Sequence, residues 1–281
     1  MSKEIDPLDL YKRYKGSDYG LQLFRQPRFG KDTIKPEGIG TNDWTLLLGP
    51  DVNNLWHLPH SVNVATIYQS LDDPSDGCIP QDYPILAEAF SDKYQVLQVV
   101  AVVHDIQEAV IGDINFHDKT DESQIKEEDT FLVMMGSLYG DYFRDGAIQE
   151  IAQIVFHQNN PLGYQFQIIE EMGYVMTALQ ADHITNDSPH LQNVLSGRRE
   201  ALDEDLLLES RGKLSHLVYD VMHTALPHLI SKSSGNIPSH KFLANSSPDI
   251  DAALMRQSCT PDLIEQWSSF MGRDTINLSE L

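Results

Sequence analysis

The chain of 281 residues has little of several features that define common protein classes. It has two cysteines, Cys78 and Cys259, which are too few for a disulfide framework or a cysteine-rich zinc site and favour a reducing, cytoplasmic location. Its longest apolar stretch, residues 96–103 with Gln98 inside it, is far shorter than the roughly 20 residues of a membrane-spanning helix. The N-terminal segment is charged and has no apolar stretch, so we expect no secretory signal.

Basic residues are also scarce: 20 Lys and Arg stand against 42 Asp and Glu, giving a formal net charge of −22. So acidic a surface repels a nucleic-acid backbone, and we therefore expect no nucleic-acid partner. The hydrophobic share of 41% is sufficient for a sizeable core. Some of the surplus carboxylates could hold divalent cations, which would in turn bind an anionic small molecule.

Three common catalytic motifs are missing as well. The sequence contains no GxSxG turn, no GxxxxGK phosphate loop and no GxGxxG loop. Nothing in it therefore indicates a serine hydrolase of that type, an NTP-driven motor or a dinucleotide-dependent enzyme.

Apolar residues recur at helical spacing, and no segment alternates as a β-strand would. The sequence predicts an all-α protein in three parts: an N-terminal extension at 1–54 that is mostly loop, a core at 55–190 and a helical C-terminal extension at 191–281. Helices are predicted at residues 6–15, from 58 onward with Pro59 in the first turn, and at 94–111, 122–139, 145–158, 165–185, 198–210, 213–230 and 261–271.

Two His-Asp dipeptides occur, where chance predicts about one, so the dipeptide alone carries no information. Their surroundings differ. His104-Asp105 follows the most apolar segment and is a candidate for burial, whereas His117-Asp118 lies in a polar stretch. A buried carboxylate is costly unless it is paired or binds a metal. In a continuous helix Glu108 would share a face with His104, and Asp113 would follow the turn at Gly112.

Two further candidates lie on other predicted helices. His60 lies on the apolar face of its helix, and Asp182 continues an apolar stripe. Each could be structural: a core histidine and a buried hydrogen-bond acceptor. Taken with His104 and Asp105, they form a set that suits a divalent ion, without choosing among Mn, Co, Mg, Fe and Zn.

These segments resemble the HD-domain metal-dependent phosphohydrolases. The likeness lies in HSVNVA from residue 60, VVHDIQEAVIGDI from 102 and QADHI from 180, and it covers roughly residues 55–190. The HD-type 5′-deoxynucleotidases also have a Glu three residues after the Asp and a Gly-Asp farther on, here Glu108 and Gly112-Asp113. The resemblance implies a helical bundle of the HD-domain type.

Residue by residue, the resemblance implies four metal ligands, His60, His104, Asp105 and Asp182. It also implies that Glu108 activates or positions the attacking water and that Asp113 acts near the leaving group or the sugar. Lys119 is a candidate for phosphate contact. Beyond the resemblance, the basic cluster that contains Arg25 and Arg28 is either an anion-binding loop or a solvated one, and His157 is either a phosphate or second-metal contact or a structural residue.

The expected function is a metal-dependent nucleotide phosphohydrolase that releases phosphate from deoxynucleoside 5′-monophosphates. Two alternatives stay open: a deoxynucleoside triphosphate phosphohydrolase that uses the same site, and a non-catalytic nucleotide-binding or regulatory module. We expect a small nucleotide as the partner, with no membrane association. Proteins of this kind are often dimers or larger, which leaves a homo-oligomer open.

Overall fold

The computed structural model of the chain describes residues 5–26, 53–71, 77–114 and 119–186, together with their side chains except those at 67, 70, 71, 145 and 175–186. Within these ranges the secondary structure is helical and no β-strand occurs, as the all-α prediction requires. The helices are α1 (Pro7–Lys15), α2 (Asp18–Phe24), α3 (Asn54–Leu71), α4 (Pro84–Ala89), α5 (Lys93–Val103), α6 (Glu108–Ile111), α7 (Asp121–Tyr139), α8 (Asp145–Phe156) and α9 (Pro161–Asn186).

Short polar residues start several of these helices. The Asp6 side chain accepts a hydrogen bond from the Leu8 amide at the start of α1, and Ser17 does the same for Gly20 in α2. At α7, Thr120 and Ser123 exchange side-chain and backbone hydrogen bonds as a capping box. Such caps satisfy amides that have no partner within the helix.

Helix α3 begins four residues earlier than the sequence predicts. The Asn53 side chain accepts a hydrogen bond of 2.9 Å from the Trp56 amide, so the helix begins at Asn54 and not at Leu58. Pro59 therefore lies inside the helix instead of in its first turn. Because of this earlier start, His57 belongs to α3, although it precedes the predicted first residue, Leu58.

The predicted helix over 94–111 is divided into two. Helix α5 is capped by Asp92 and ends at Val103, after which residues 104–107 form tight turns before the single turn of α6. In the break the Ile106 amide bonds the Val103 carbonyl, and the Glu108 amide bonds the Asp105 carbonyl, so the spacing shortens from four residues to three. Gly112 then leaves α6 with a positive φ of 82°, a conformation that favours glycine.

The core forms around α5, which packs against α3, α1 and α9. The N-terminal segment contributes more than the expected loop, because α1 and α2 both pack on the core and bury Leu10, Tyr14 and Leu23. The predicted helices at 198–210, 213–230 and 261–271, and with them the C-terminal extension, lie outside the described residues. Among the helices described, none is long and apolar enough to cross a membrane.

Candidate metal centre

Four side chains from three parts of the fold converge beside the break after α5. His57 comes from α3, His104 and Asp105 from the turn after α5, and Glu170 from α9. The Nε2 atom of His104 lies 3.2 Å from His57 Nε2, 3.1 Å from Asp105 Oδ2 and 3.4 Å from Glu170 Oε2. His57 Nε2 lies 3.5 Å from Asp105 Oδ2 and 3.7 Å from Glu170 Oε2. Two imidazole nitrogens and two carboxylates therefore meet at one place.

The His104 ring is held in a fixed orientation. Its Nδ1 atom lies 2.8 Å from the Ala101 carbonyl oxygen, which accepts the Nδ1 proton, and Phe166 packs edge-on against the ring at 5.3 Å between centroids. This bond directs Nε2 toward Glu170 and Asp105. A backbone carbonyl on the far nitrogen is the usual partner of a metal-binding histidine, because it fixes both the tautomer and the ring plane.

The charges in the cluster stabilise one another. Burial disfavours a charge on His104, but Asp105 and Glu170 outweigh it and hold the imidazole pKa well above its ordinary value. Burial likewise opposes a charge on Glu170, while His104 and His57 hold its pKa well below the usual range. Next to them, burial and the charge of Glu170 raise the pKa of Glu171 to about 7. A negative site that draws a positive charge into a buried position is also suited to a cation.

His57, His104 and Glu170 form a group that could hold a metal ion, since each offers one ligand atom and these atoms lie within 4.8 Å of one another. A further observation fits this reading: Glu170 Oε1 is buried and has no hydrogen-bond partner among the described residues. A buried carboxylate oxygen without a donor is costly, and a cation would satisfy it. The nitrogen and oxygen donors suit several divalent metals.

His60, expected as a ligand, lies elsewhere. Its Nε2 atom is 3.1 Å from the Gly173 carbonyl oxygen, and its ring stacks on Trp56 at 4.7 Å. The ring centroids of His57 and His60 are 6.2 Å apart. The described geometry therefore joins His57, and not His60, to the His104-Asp105 pair. Asp182, the fourth expected ligand, belongs to α9, but its side chain lies outside the described residues.

The expected catalytic carboxylates have different surroundings. Glu108 is buried at the start of α6, where Asn54 Nδ2 donates to its Oε2 at 2.8 Å. Asp113 is exposed and directly follows the positive-φ turn at Gly112. Glu108 is thus held within the protein beside Asp105, whereas Asp113 lies at the surface.

The expected phosphate-binding residues separate into two groups. Lys119 is half-buried and donates to Glu127 Oε2 at 2.8 Å. Burial opposes its charge, yet the bond to Glu127, with Asp105 and Glu108 adding to it, raises the Lys119 pKa. This lysine is therefore a cation in the field of the cluster.

The remaining candidates lie at the surface or outside the described residues. Arg25 is exposed at the end of α2, and Arg28 lies outside the described residues, as does the second dipeptide, His117-Asp118. His157 is exposed and its Nε2 lies 3.1 Å from both oxygens of Glu128, so within the described part of the chain it forms a surface pair instead of joining the cluster.

Two residues of the cluster were not expected as ligands from the sequence. Asn53 is of a type preferred at helix N-caps, and reading it as the cap would have included His57 in α3. Glu170 lies four residues after Phe166 and three before Gly173, both buried on α9. An acidic residue at that helical spacing is a sign of a carboxylate turned toward the interior.

No family model, curated protein or solved structure shows significant similarity to the chain.

Proposed function

We propose that the protein is a metal-dependent phosphohydrolase of nucleotides that releases phosphate from deoxynucleoside 5′-monophosphates. The observation that carries the proposal is the convergence of His57, His104 and Glu170, whose ligand atoms lie within 4.8 Å of one another. Asp105 lies within 3.5 Å of both histidines and adds a fourth donor. The resemblance of the surrounding sequence to HD-type phosphohydrolases supports the reaction class.

These four residues would hold the divalent ion, since the donor set fits one and the buried Glu170 Oε1 has no other partner in the described chain. When bound, such an ion polarises a phosphoryl group and makes a water nucleophilic at neutral pH. The protein's part is to keep the donors in place. The Ala101 carbonyl orients His104, and Phe166 prevents its ring from turning.

Glu108 is the residue to orient the attacking water and accept its proton. It follows Asp105 by three residues, its amide bonds the Asp105 carbonyl, and its side chain is buried beside the cluster. A general base needs a fixed position within hydrogen-bond reach of the proton that it removes. The hydrogen bond from Asn54 supplies that fixed position.

Lys119 is the residue to hold the phosphate charge. It remains a cation beside Asp105 and Glu108, although burial disfavours this. An ammonium group near a carboxylate-rich site attracts an anionic substrate that the net charge of −22 would otherwise repel. Exposed Asp113 is assigned to the leaving group or the sugar.

The test is phosphate release by the metal-stripped full chain with Mn²⁺, Co²⁺ or Mg²⁺ added back, over a panel of nucleoside mono- and triphosphates. We expect release from deoxynucleoside monophosphates, and a rate about 1,000-fold lower for the D105N variant because a charged ligand is lost. The H157A variant is the matched control, since His157 is exposed and paired with Glu128; it should keep the full rate.

The same panel separates the alternatives. Release of a triphosphate chain, with no action on monophosphates, would replace the proposal by a triphosphohydrolase. Saturable nucleotide binding without turnover under every metal would replace it by a binding module. Undiminished phosphate release by D105N would rule out the mechanism.

A further inference from the structure

Three hydrogen bonds join Gln26, Asn54 and Glu108 in a closed ring. The Asn54 amide donates to the Gln26 carbonyl at 3.1 Å, Gln26 Nε2 donates to the Glu108 carbonyl at 2.9 Å, and Asn54 Nδ2 donates to Glu108 Oε2 at 2.8 Å. The three residues belong to three elements: the segment after α2, the start of α3 and the start of α6. Side chain and backbone of Glu108 are thus held from two sides.

The hydrogen bond between Asn54 and Glu108 is shielded from water. Asn54 is fully buried and Glu108 is 9% exposed. A carboxylate that accepts a short bond from a buried, immobile donor has its plane fixed, because rotation would break the bond with no water to replace it. Glu108 would otherwise project from a helix of a single turn, which restrains it little by itself.

The side-chain amides of Asn54 and Gln26 both donate to Glu108 through their nitrogen atoms. Asn54 Oδ1 and Gln26 Oε1 are buried and have no hydrogen-bond partner within the described residues. Buried amides that serve packing alone are usually satisfied at both ends. Here the two amide oxygens are unsatisfied while both amide nitrogens bond Glu108. The arrangement therefore holds Glu108 in place at a cost in folding stability.

We infer that Asn54 is a positioning residue for the reaction: it fixes the Glu108 carboxylate in the orientation in which that group acts on the attacking water. The inference rests on the proposed function. Gln26 supports it by anchoring the Asn54 backbone and the Glu108 carbonyl, which makes the segment after α2 part of the catalytic structure.

The experiment measures kcat, KM and the Mn²⁺ Kd of the full-length holoenzyme. In N54D the donor becomes an acceptor that repels Glu108, and in N54S the side chain is too short to reach it. We expect kcat to fall by about 100-fold and about 10-fold respectively, within the range that a positioned base contributes. KM and the Mn²⁺ Kd should change by less than about twofold, because Asn54 is outside the group that could hold the metal and is assigned no substrate contact.

Matched controls are N63D and N63S, since Asn63 is also buried on α3 but lies outside the ring; both should keep the parental kcat. A double-mutant cycle gives a readout that a structural role would not move. If Asn54 acts through Glu108, N54S should lower kcat by less than about twofold in an E108Q background.

The outcomes that would overturn the inference are distinct. It is wrong if N54S keeps the kcat of N63S while E108Q is impaired, or if N54S lowers kcat equally with and without Glu108. Should N54D fail to fold, N54S decides alone. An unmodified chain that releases phosphate from no nucleotide would overturn the proposed function first, and this inference with it.

Discussion

Helix α5 and the five residues after it differ in how their backbone is satisfied. Helix α5 is apolar around nearly its whole circumference, and its interior backbone is hydrogen-bonded as a regular helix, with Asp92 capping its first turn. Residues 104–107 are turns and Glu108 begins α6. Two carbonyls of this stretch accept hydrogen bonds from residues far away in the chain: Tyr14 donates to the Ile106 carbonyl at 3.0 Å and Gln26 to the Glu108 carbonyl at 2.9 Å. Helix α5 forms the centre of the core, whereas the conformation of the residues after it depends on contacts with the rest of the fold.

In a helical bundle, a cluster of polar side chains can form where a helix is interrupted. A continuous helix would present His104, Asp105 and Glu108 at fixed angles of about 100° per residue. The break frees these residues from that geometry, so His104 contacts both Asp105 and Glu170, while Glu108 bonds Asn54. The cluster thus depends on an irregular stretch of backbone whose carbonyls accept hydrogen bonds from distant residues.

Among the predicted effects of substitutions in the two regions, the largest is at Glu170. The E170Q variant keeps the shape of the side chain but removes its charge from the cluster. We expect the rate of phosphate release to fall about 1,000-fold, the Mn²⁺ affinity at least about 100-fold and the free energy of unfolding by about 3 kcal/mol, because the buried His104 loses a charged partner. Calorimetric metal titration and urea unfolding measure the two quantities. Parental metal affinity in E170Q would remove Glu170 from the site.

The converse change belongs to α5. Leu97 is 1% exposed within the core, and L97A should lower the free energy of unfolding by about 3 kcal/mol because it leaves a cavity. The Mn²⁺ affinity of the folded protein should not change. Urea unfolding with a parallel metal titration checks both. A loss of metal affinity at temperatures where L97A is folded would contradict the separation of the two regions.

A smaller loss is expected where the regions meet. Y14F removes the hydroxyl that donates to the Ile106 carbonyl, whose remaining bond, from the Ala109 amide, is 3.4 Å long. A buried acceptor so weakly satisfied costs about 2 kcal/mol of stability. Thermal unfolding of Y14F and the parent measures it. An unchanged stability of Y14F would show that the break does not need this donor.

The smallest effect concerns the exit from α6. Gly112 has a φ of 82°, and a Cβ there would meet no heavy atom within 4 Å. G112A should therefore cost about 1 kcal/mol through backbone strain alone. G136A, on the exposed side of α7 where a Cβ also has open space, should not destabilise the protein. Equal stabilities of the two variants would contradict the strain at position 112.

Much of the fold could be predicted from local sequence. Asp6 with Pro7, Thr120 and the apolar periodicities locate α1, α7, α8 and α9 to within a few residues. The break after Val103 could not be predicted in this way, because apolar residues continue through Ile106 and Ala109. The hydrogen bonds that support it join residues 92 and 82 positions apart.

The site was predictable in part for related reasons. A His at the end of an apolar segment indicated a buried polar position, and His104 is buried in a group that could hold a metal ion. The other two members of that group, His57 and Glu170, were not among the expected ligands. Choosing His57 over His60 required knowing which face of α3 packs against α5 and α9, and that is a tertiary contact. Glu170 depended on how α9 packs against α3 and α5, which no local pattern contains.

The most direct test of the proposed metal centre compares two histidines of α3, His57 and His60. The Mn²⁺ affinity of the metal-stripped full chain is measured by calorimetry for the parent, H57A and H60A. We predict that H57A loses at least about 100-fold in affinity, whereas H60A, whose ring bonds the Gly173 carbonyl and stacks on Trp56, stays within about threefold of the parent. Binding that survives in H57A and fails in H60A would contradict the account.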